Sequence, residues 1–256
     1  MSYSIESITE SIGARRMGNA PATIDWLLTD SRSLNFPEET LFFALTTKRN
    51  DGARYIADLY ARGVRNFVLS EESFRLMDNG QLTIDNAMQR DDAQSIVNYL
   101  IVPNPLKALQ KLAEQHRNRF QIPVIGITGS NGKTVVKEWL HQLLSPERAI
   151  IRSPRSYNSQ IGVPLSVWQM NEQSELAIFE AGISEPGEMR ALQNIIKPTI
   201  GILTNIGGAH QENFFSLQEK CMEKLTLFKN CDVVIYNGDD EFVSNCVAKS
   251  MLSARE

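Results

Sequence analysis

The stretch Ile122–Thr134, I-P-V-I-G-I-T-G-S-N-G-K-T, decides the fold of this 256-residue chain. Its apolar start at 124–127 predicts a buried strand, and G-S-N-G at 129–132 predicts a tight turn. Lys133 and Thr134 then open a helix. In such a turn the backbone N–H groups and the helix N-terminus hold phosphate, the lysine reaches the terminal phosphates, and the threonine hydroxyl binds Mg²⁺. The stretch therefore predicts a nucleotide-binding strand–loop–helix.

The motif departs from the general nucleotide-binding pattern G-x-x-x-x-G-K-[ST]. With Gly132 as the second glycine, that pattern requires a glycine at position 127, where this chain has Ile127. A Gly-Lys-Thr triplet alone means little, but the strand, the glycines, the lysine and the helix together favour nucleotide binding. The alternative is a glycine-rich turn with an incidental lysine.

Composition limits the classes of function. The formal net charge is −4 and no long basic run occurs, so nothing indicates nucleic acid or an anionic membrane surface. The three cysteines form no C-x-x-C pair, which fits a reducing cytoplasm. No apolar stretch is long enough to span a bilayer, and the N-terminus lacks a signal-peptide pattern. We expect a cytoplasmic protein without membrane insertion.

The first part of the chain predicts a small α/β domain over residues 1–103. Strand patterns at 41–45 and 66–70 flank a helical pattern at 55–62, which is typical of a right-handed strand–helix–strand unit. A further strand pattern at 96–102 ends at Pro103-Asn104-Pro105, where we place the domain boundary.

The second part, residues 104–256, predicts a mainly parallel sheet. Helical patterns at 106–120, 135–144, 187–196 and 217–229 alternate with apolar strands at 124–127, 176–179, 200–204 and 232–236. Trp139 repeats at helical spacing and is expected in the core. In such sheets ligands bind beyond the carboxyl ends of the strands. Glu180, Asn205 and His210 follow strands at that edge, so we expect them near the loop at 129–132.

The motifs resemble those of the Mur ligases, the ATP-dependent amide-forming enzymes of bacterial wall synthesis, and of the related folylpolyglutamate synthases. T-G-S-N-G-K-T at 128–134 carries the resemblance, and N-I-G-G-A-H at 205–210 is similar to the family segment T-N-I-x-x-A-H. The resemblance implies an α/β fold with an N-terminal uridine-binding domain and an ATP-binding central domain, here incomplete. The ATP site it implies consists of Gly129, Ser130, Asn131, Gly132, Lys133, Thr134 and Asn205.

The resemblance also implies two Mg²⁺ sites and the catalytic residues. Thr134 would hold the first ion, and Glu180 and His210 would hold the second. Lys224 matches a family lysine that is commonly carbamoylated, which turns an amine into an oxygen ligand. The catalytic set is then Lys133, His210 and Lys224. Lys220, one helical turn earlier, is the competing choice, and from the residues alone an exposed lysine is the simpler reading.

Other segments of the chain concern the substrate. Asp30-Ser31-Arg32 and the loop at 48–52 are, from the residues alone, solvated turns. In this chain, D-S-R followed by L-F-F-A-L and Asp-Gly resembles the N-terminal domain with which the family binds the uridine diphosphate of the precursor. The UDP-sugar set implied in this way is Asp30, Ser31, Arg32, Asn50 and Asn158.

Two further segments resemble the family branch that adds D-alanyl-D-alanine. These are Y-N-S-Q-I-G-V-P at 157–164, with Ser159 where the family has a second asparagine, and E-A-G-I-S-E-P-G-E at 180–188. The first is also similar to a variant fused to an alanine racemase. The implied reaction phosphorylates the terminal carboxylate of a UDP-N-acetylmuramoyl tripeptide with ATP, and the amine of D-alanyl-D-alanine then attacks the acyl phosphate.

The family continues beyond the point matching residue 256, so a C-terminal domain acting in cis is expected to be missing and this part alone to be inactive. Three alternatives remain open. The first is another Mur-type ligase, such as the one that adds the third residue; the D-S-R segment argues against a folate enzyme. The second is a nucleotide-binding switch or kinase with an unrelated first domain. The third is a nucleotide-sugar binding module without catalysis.

Overall fold

The structure is a computed structural model that describes residues 1–47, 50–78, 96–208 and 213–253. The chain forms two compact units, residues 1–112 and 113–256. The domain bounds expected from the sequence, 1–103 and 104–256, stay a prediction. Among the described residues, none of the helices combines the length and the apolar composition that crossing a membrane requires.

The strands of the first unit are β1 (Tyr3–Ser4), β2 (Arg15–Met17), β3 (Thr23–Ile24), β4 (Trp26–Leu28), β5 (Thr40–Phe43), β6 (Thr46–Thr47), β7 (Asn50–Asp51), β8 (Asn66–Ser70) and β9 (Asn98–Val102). The unit is built on a sheet of strand order β2-β9-β8-β5-β4, in which β2 is antiparallel to β9 and the other pairs are parallel. Its helices are α1 (Ile5–Ile12), α2 (Ile56–Ala61) and α3 (Glu71–Asp78), with 3₁₀ turns at Ser31–Ser33 and Gly52–Tyr55. Helix α4 (Pro105–Arg117) runs across the division between the units.

The core of the first unit lies between its parallel strands and helix α2. Phe42 of β5 and Phe67 of β8 pack edge to face, with ring centroids 6.4 Å apart, and Leu59 of α2 belongs to the same buried cluster. All residues of β5 are buried because both faces of a parallel strand are covered. The predicted strand–helix–strand unit is therefore confirmed.

The second unit is a parallel sheet of order β11-β12-β10-β13-β14. Its strands are β10 (Val124–Thr128), β11 (Ile150–Arg152), β12 (Leu176–Glu180), β13 (Ile200–Leu203) and β14 (Val233–Ile235). Its helices are α5 (Lys133–Leu144), α6 (Gly162–Val167), α7 (Glu188–Ile196), α8 (Leu217–Leu225) and α9 (Glu241–Ser253), with a 3₁₀ turn at Thr226–Phe228. The predicted parallel α/β fold is confirmed.

The register of the sheet positions the site. Strand β10 is central, and its Ile127 pairs with Glu180 of β12 on one side and with Ile202 of β13 on the other. Because parallel strands end at the same edge of a sheet, the residues after β10, β12 and β13 meet there.

The prediction that Trp139 lies in the core is wrong. Helix α5 packs its Val136, Leu140 and Leu144 face against the sheet, whereas Trp139 is 64% exposed. The apolar pattern of this helix is wider than the face that the sheet covers, so the neighbouring row at 135, 139 and 143 faces solvent. Periodicity alone does not say which of two adjacent rows is buried.

Candidate active site

The loop Gly129–Gly132, called here the phosphate loop, joins the end of β10 to the start of α5. Gly129 has φ 143° and Gly132 has φ 82°, in the region that favours glycine. A Cβ at Gly129 would lie 1.9 Å from Thr204 Oγ1, so no side chain fits there. The phosphate loop can take this path only with glycine at these positions.

The segment after β13 holds the phosphate loop in place. Asn205 accepts hydrogen bonds from two backbone N–H groups of the phosphate loop. Ser130 N donates to the Asn205 carbonyl (2.8 Å), and Asn131 N donates to Asn205 Oδ1 (3.1 Å). Gly207 N donates to Ser130 Oγ at 2.8 Å. The donors left for phosphate are the first N–H groups of α5, which have no acceptor within the helix. Asn205 thus contacts the loop in this structure, and its role toward ATP stays a prediction.

Lysines converge on the same loop. Lys133 Nζ donates to the Gly129 carbonyl at 2.9 Å and Lys224 Nζ to that carbonyl at 3.2 Å. Burial, together with the charges of Lys133 and Lys220, lowers the pKa of Lys224 to about 8. Burial also lowers the pKa of Lys133, against the opposing charge of Glu180. Two ammonium groups that are shielded from water and hydrogen-bonded to a neutral carbonyl form a site that attracts an anion.

Helix α8 carries Lys224 into this position, and its start is fixed by a cap. Ser216 Oγ accepts from the Glu219 N–H (3.0 Å), and the Glu219 carboxylate accepts from the Phe215 N–H (2.7 Å). Lys220 lies one turn before Lys224 on the same helix face, and its Nζ donates to the Gly207 carbonyl at 2.5 Å.

Glu180, at the end of β12, is fully buried beside the helix start. Its Oε2 accepts from Thr134 Oγ1 at 3.0 Å and from Asn158 Nδ2 at 3.4 Å. Its Oε1 lies 2.9 Å from Nζ of Lys137, which is also fully buried. The sequence prediction missed Lys137. Its position three residues after Thr134 was the available signal, because residues i and i+3 share a helix face.

A cavity of about 130 Å³, called here the phosphate cavity, opens beside the phosphate loop. Its lining residues are Gly129, Ser130, Lys133, Asn158, Ser159, Gly182, Ile183, Ser184 and Lys224. Sequence reasoning did not assign Ser159 or Ser184 to the site. Ser159 follows Asn158 directly, and its Oγ accepts from the N–H of Gly162, the first residue of α6, at 3.2 Å.

The donor set fits Mg²⁺ that arrives with phosphate. Thr134 Oγ1 and Glu180 Oε2 offer a hydroxyl and a carboxylate 3.0 Å apart. In the part of the chain that the structure describes, no three His, Cys, Asp or Glu side chains cluster as a metal site would need. Mg²⁺ in nucleotide sites is usually bound by one or two carboxylates plus substrate phosphates and water. His210, predicted as a further ligand, lies outside the described residues.

The predicted uridine-binding residues lie in the first unit. Asp30 caps the turn Ser31–Ser33 by accepting from Arg32 N (3.1 Å), and its Oδ2 pairs with Arg32 Nη2 at 2.6 Å. This hydrogen bond raises the pKa of Arg32 and lowers that of Asp30. The Arg32 side chain is 87% exposed. The side chain of Asn50, on strand β7, lies outside the described residues.

Comparisons with known proteins agree with this fold. The family described as Mur ligase middle domain matches residues 127–254. A Borreliella burgdorferi protein named UDP-N-acetylmuramoyl-tripeptide–D-alanyl-D-alanine ligase is 32% identical over 88% of this chain and 47% of its own length. A Bacillus subtilis protein of the same name is 30% identical over 87% of this chain and 45% of its own.

Solved structures show the same fold. MurF from Acinetobacter baumannii matches with a TM-score of 0.81 at 23% identity, over 98% of this chain and 52% of that one. A MurF ligase from Thermotoga maritima, solved in complex with ADP, matches with a TM-score of 0.70 at 25% identity, over 88% and 48%. The chain spans about half the length of the curated relatives it matches.

The family match at residues 127–254 includes all the residues that line the phosphate cavity, from Gly129 to Lys224. The chain belongs to the Mur ligase family.

Proposed function

We propose that this chain forms the UDP-sugar- and ATP-binding part of a ligase that joins D-alanyl-D-alanine to a UDP-N-acetylmuramoyl tripeptide. The observation that carries the nucleotide part is that Lys133 and Lys224 line one cavity at the carboxyl ends of parallel strands, where the adjacent Thr134 is hydrogen-bonded to Glu180. The names of the relatives support the choice of D-alanyl-D-alanine as the incoming amine.

The reaction has two steps. An oxygen of the tripeptide carboxylate attacks the γ-phosphorus of ATP, and ADP leaves. The amine of D-alanyl-D-alanine then attacks the acyl carbon and an N–C bond forms; the C–O bond to phosphate breaks, phosphate leaves with the bonding electrons, and the former amine releases a proton to the surrounding water. Since the protein supplies little covalent chemistry in phosphoryl transfer, its residues act by positioning and by charge stabilisation.

Each residue near the phosphate cavity has a task in this proposal. Lys133 exchanges the Gly129 carbonyl for the transferred phosphoryl group, and the N–H groups at the start of α5 hold the other phosphates. Thr134 would hold a first Mg²⁺, and Glu180, His210 and the carbamoylated Lys224 would hold a second. When bound, Mg²⁺ supplies positive charge to the phosphate oxygens. Asn158, hydrogen-bonded to Glu180, orients the reacting end of the substrate.

Lys224 is the lysine proposed to be carbamoylated. Its pKa of about 8 leaves a sizeable neutral fraction near neutral pH. The neutral amine adds to CO₂, an N–C bond forms, and a proton leaves, which produces a carbamate with two oxygen atoms. Lys224 lines the phosphate cavity, whereas Lys220 is not among the lining residues, and this difference supports Lys224 over its neighbour.

The uridine diphosphate end is assigned to Asp30, Ser31, Arg32 and Asn50. Arg32 supports this assignment because a guanidinium is suited to bidentate phosphate binding. Asp30 orients it through the 2.6 Å pair. We place the reaction in the cytoplasm because its nucleotide substrates are made there. The relatives are about twice as long as this chain, and we expect the part that corresponds to their remaining length to complete the site.

Calorimetric titration of this chain with UDP-N-acetylmuramoyl tripeptide tests the proposal, with UMP and a plain peptide as controls. We expect saturable binding of the tripeptide and of UMP, weakened by Arg32→Ala, and separate binding of Mg-ATP. A folded chain that binds Mg-ATP but ignores the tripeptide would contradict the proposal and favour a nucleotide-binding switch or kinase.

The longer protein distinguishes the wall ligases from one another. Phosphate release should be stimulated by D-alanyl-D-alanine and not by single amino acids. Stimulation by a single diamino acid instead would assign the chain to the ligase that adds the third residue.

A further inference from the structure

Lys137, in the middle of α5, is fully buried and has no assigned role in the proposed reaction. Its ammonium lies 2.9 Å from Glu180 Oε1 and 3.1 Å from Glu138 Oε1. It also donates to the carbonyls of Ser153, at 2.8 Å, and of Arg155. A lysine is almost never fully buried unless its charge is paired, so this position is a specific contact point.

Lys137 connects three parts of the site. It lies on the helix that follows the phosphate loop, it pairs with the carboxylate at the end of β12, and it binds the loop that follows β11. That loop continues to Asn158 and Ser159, which line the phosphate cavity. Arg155, in the same loop, has φ 49°, which is an unfavourable conformation for a residue with a side chain. The Lys137 ammonium donates a hydrogen bond to the carbonyl of this residue.

The contact with Lys137 divides the two oxygens of Glu180. Oε1 faces the ammonium, while Oε2 faces Thr134 and Asn158. Among the residues that the structure describes, none donates a hydrogen bond to Oε1, because the Lys137 ammonium approaches it at ion-pair distance without hydrogen-bond geometry. The ammonium thus complements the two hydrogen bonds to Oε2 in holding the carboxylate, and a buried carboxylate without a cation is strongly disfavoured.

We propose that Lys137 is a positioning residue that presents Glu180 Oε2 to the Mg²⁺-bound nucleotide. It holds Oε1 away from the phosphate cavity, and through the Ser153 and Arg155 carbonyls it keeps the adjoining loop beside it. Glu180 then offers a single preset oxygen next to the Thr134 hydroxyl. This inference rests on the proposed function, since it requires that nucleotide and Mg²⁺ bind at this site.

The test measures the affinity of the chain for a fluorescent ATP analogue with Mg²⁺ and with EDTA, and takes the ratio as the Mg²⁺ gain. Lys137→Met keeps the length of the side chain and removes its charge. We expect the Mg²⁺ gain to fall about tenfold or more, while affinity in EDTA changes less than about threefold. Lys229→Met, at an exposed position, is the matched control and should leave both values unchanged.

A double-mutant cycle separates positioning from general structural support. In a Glu180→Gln background, Lys137→Met should cause no further loss of the Mg²⁺ gain, because the two residues act through one carboxylate. Replacing both members of a buried ion pair is often tolerated, so the double variant is expected to fold even where Lys137→Met does not. In that case the comparison of Glu180→Gln with the double variant decides.

Several outcomes would overturn the inference. These are an unchanged Mg²⁺ gain in Lys137→Met, an equal loss with Mg²⁺ and with EDTA, and a further loss of the gain in the Glu180→Gln background. A wild-type chain with no Mg²⁺ gain at all would overturn the proposed function together with this inference. An intact gain in wild type with an unaffected Lys137→Met variant would overturn the inference alone.

Discussion

The chain holds its candidate anion-binding cations in two opposite ways. In the second unit, Lys133 and Lys224 are hydrogen-bonded to the neutral carbonyl of Gly129, and burial lowers the pKa of both. In the first unit, Arg32 is exposed and already paired with the carboxylate of Asp30. In the second unit, the lysine charges are partly withdrawn from water and are hydrogen-bonded to a neutral group. In the first unit, the arginine charge stays in water and is balanced by a carboxylate.

The difference has an energetic consequence for ligands. In the second unit folding has already desolvated the lysines, so an arriving phosphate adds charge attraction at short range and low local dielectric. At Arg32 a phosphate must compete with Asp30, and water and salt screen the contact. We therefore expect tight, charge-dependent binding at the phosphate loop and weaker, salt-sensitive binding at the Asp30–Arg32 turn.

The largest expected effect is that of Lys133→Ala on nucleotide affinity. Removing a preorganised charge from a buried anion site costs on the order of a hundredfold or more. Calorimetric titration with Mg-ATP measures it, with Lys229→Ala as an exposed lysine control. A loss of less than about fivefold would mean that the half-buried Lys133 does not bind phosphate, because exposed contacts alone produce effects of that size.

The second expected effect is a pH dependence that only the buried site should show. Lys224, with a pKa of about 8, is protonated at pH 7 and largely neutral at pH 9. A bound anion favours the protonated form, so affinity for nucleotide should fall about tenfold from pH 7 to 9. UMP binding at Arg32 should stay flat over this range, because the hydrogen bond that the guanidinium donates to Asp30 raises the pKa of Arg32 above its already high ordinary value.

The measurement requires buffers free of CO₂, so that no carbamate forms. Lys224→Met should bind nucleotide more weakly at pH 7 than the wild type and lose most of the pH dependence. A wild-type affinity that is constant between pH 7 and 9 would contradict a titrating cation in the phosphate cavity.

Sequence patterns predicted the fold class and the central strands of both units because these strands are short apolar runs bounded by glycine, proline and polar residues, whereas the short strands β1–β3, β6 and β7 were not predicted. They predicted β8 at 66–70, and β12 and β13 to within one residue. Strand β11 was missed because its three residues are only half buried and carry no strong pattern. Trp139 was misplaced because the apolar rows of α5 differ in burial and not in composition.

The sequence predicted those parts of the candidate site in which a backbone conformation requires one residue type. It did not predict the parts in which the role of a side chain depends on its partner in the folded structure. The glycines at 129 and 132 adopt the positive φ values that a tight turn before a helix suggests. Lys137 was not found because a lysine in a helix is usually solvated, and only the buried carboxylate of Glu180 changes that reading. The hydrogen bond that Asn131 N donates to Asn205 was likewise not predictable, because it depends on the path of a loop that is distant in sequence.

The third expected effect is that of Arg32→Ala on UMP binding. Because the guanidinium is exposed and shared with Asp30, we expect a loss of about two- to fivefold, far smaller than at Lys133. Raising the salt concentration should weaken wild-type binding and leave the variant almost unaffected. A loss as large as that of Lys133→Ala would show that the turn becomes buried when the ligand binds, and the contrast between the two units would then hold for the free protein only.

The smallest expected effect is that of Asp30→Asn, which sharpens the same contrast. Asparagine caps a turn about as well as aspartate, so the N–H of Arg32 keeps its acceptor. The variant loses the ion pair that orients the guanidinium, which weakens UMP binding, but it also removes a negative charge beside the phosphate, which strengthens it. Since these changes oppose each other at an exposed site, we expect a net change below about twofold in the same titration. A loss equal to that of Arg32→Ala would instead mean that the Asp30 carboxylate binds the uridine moiety itself.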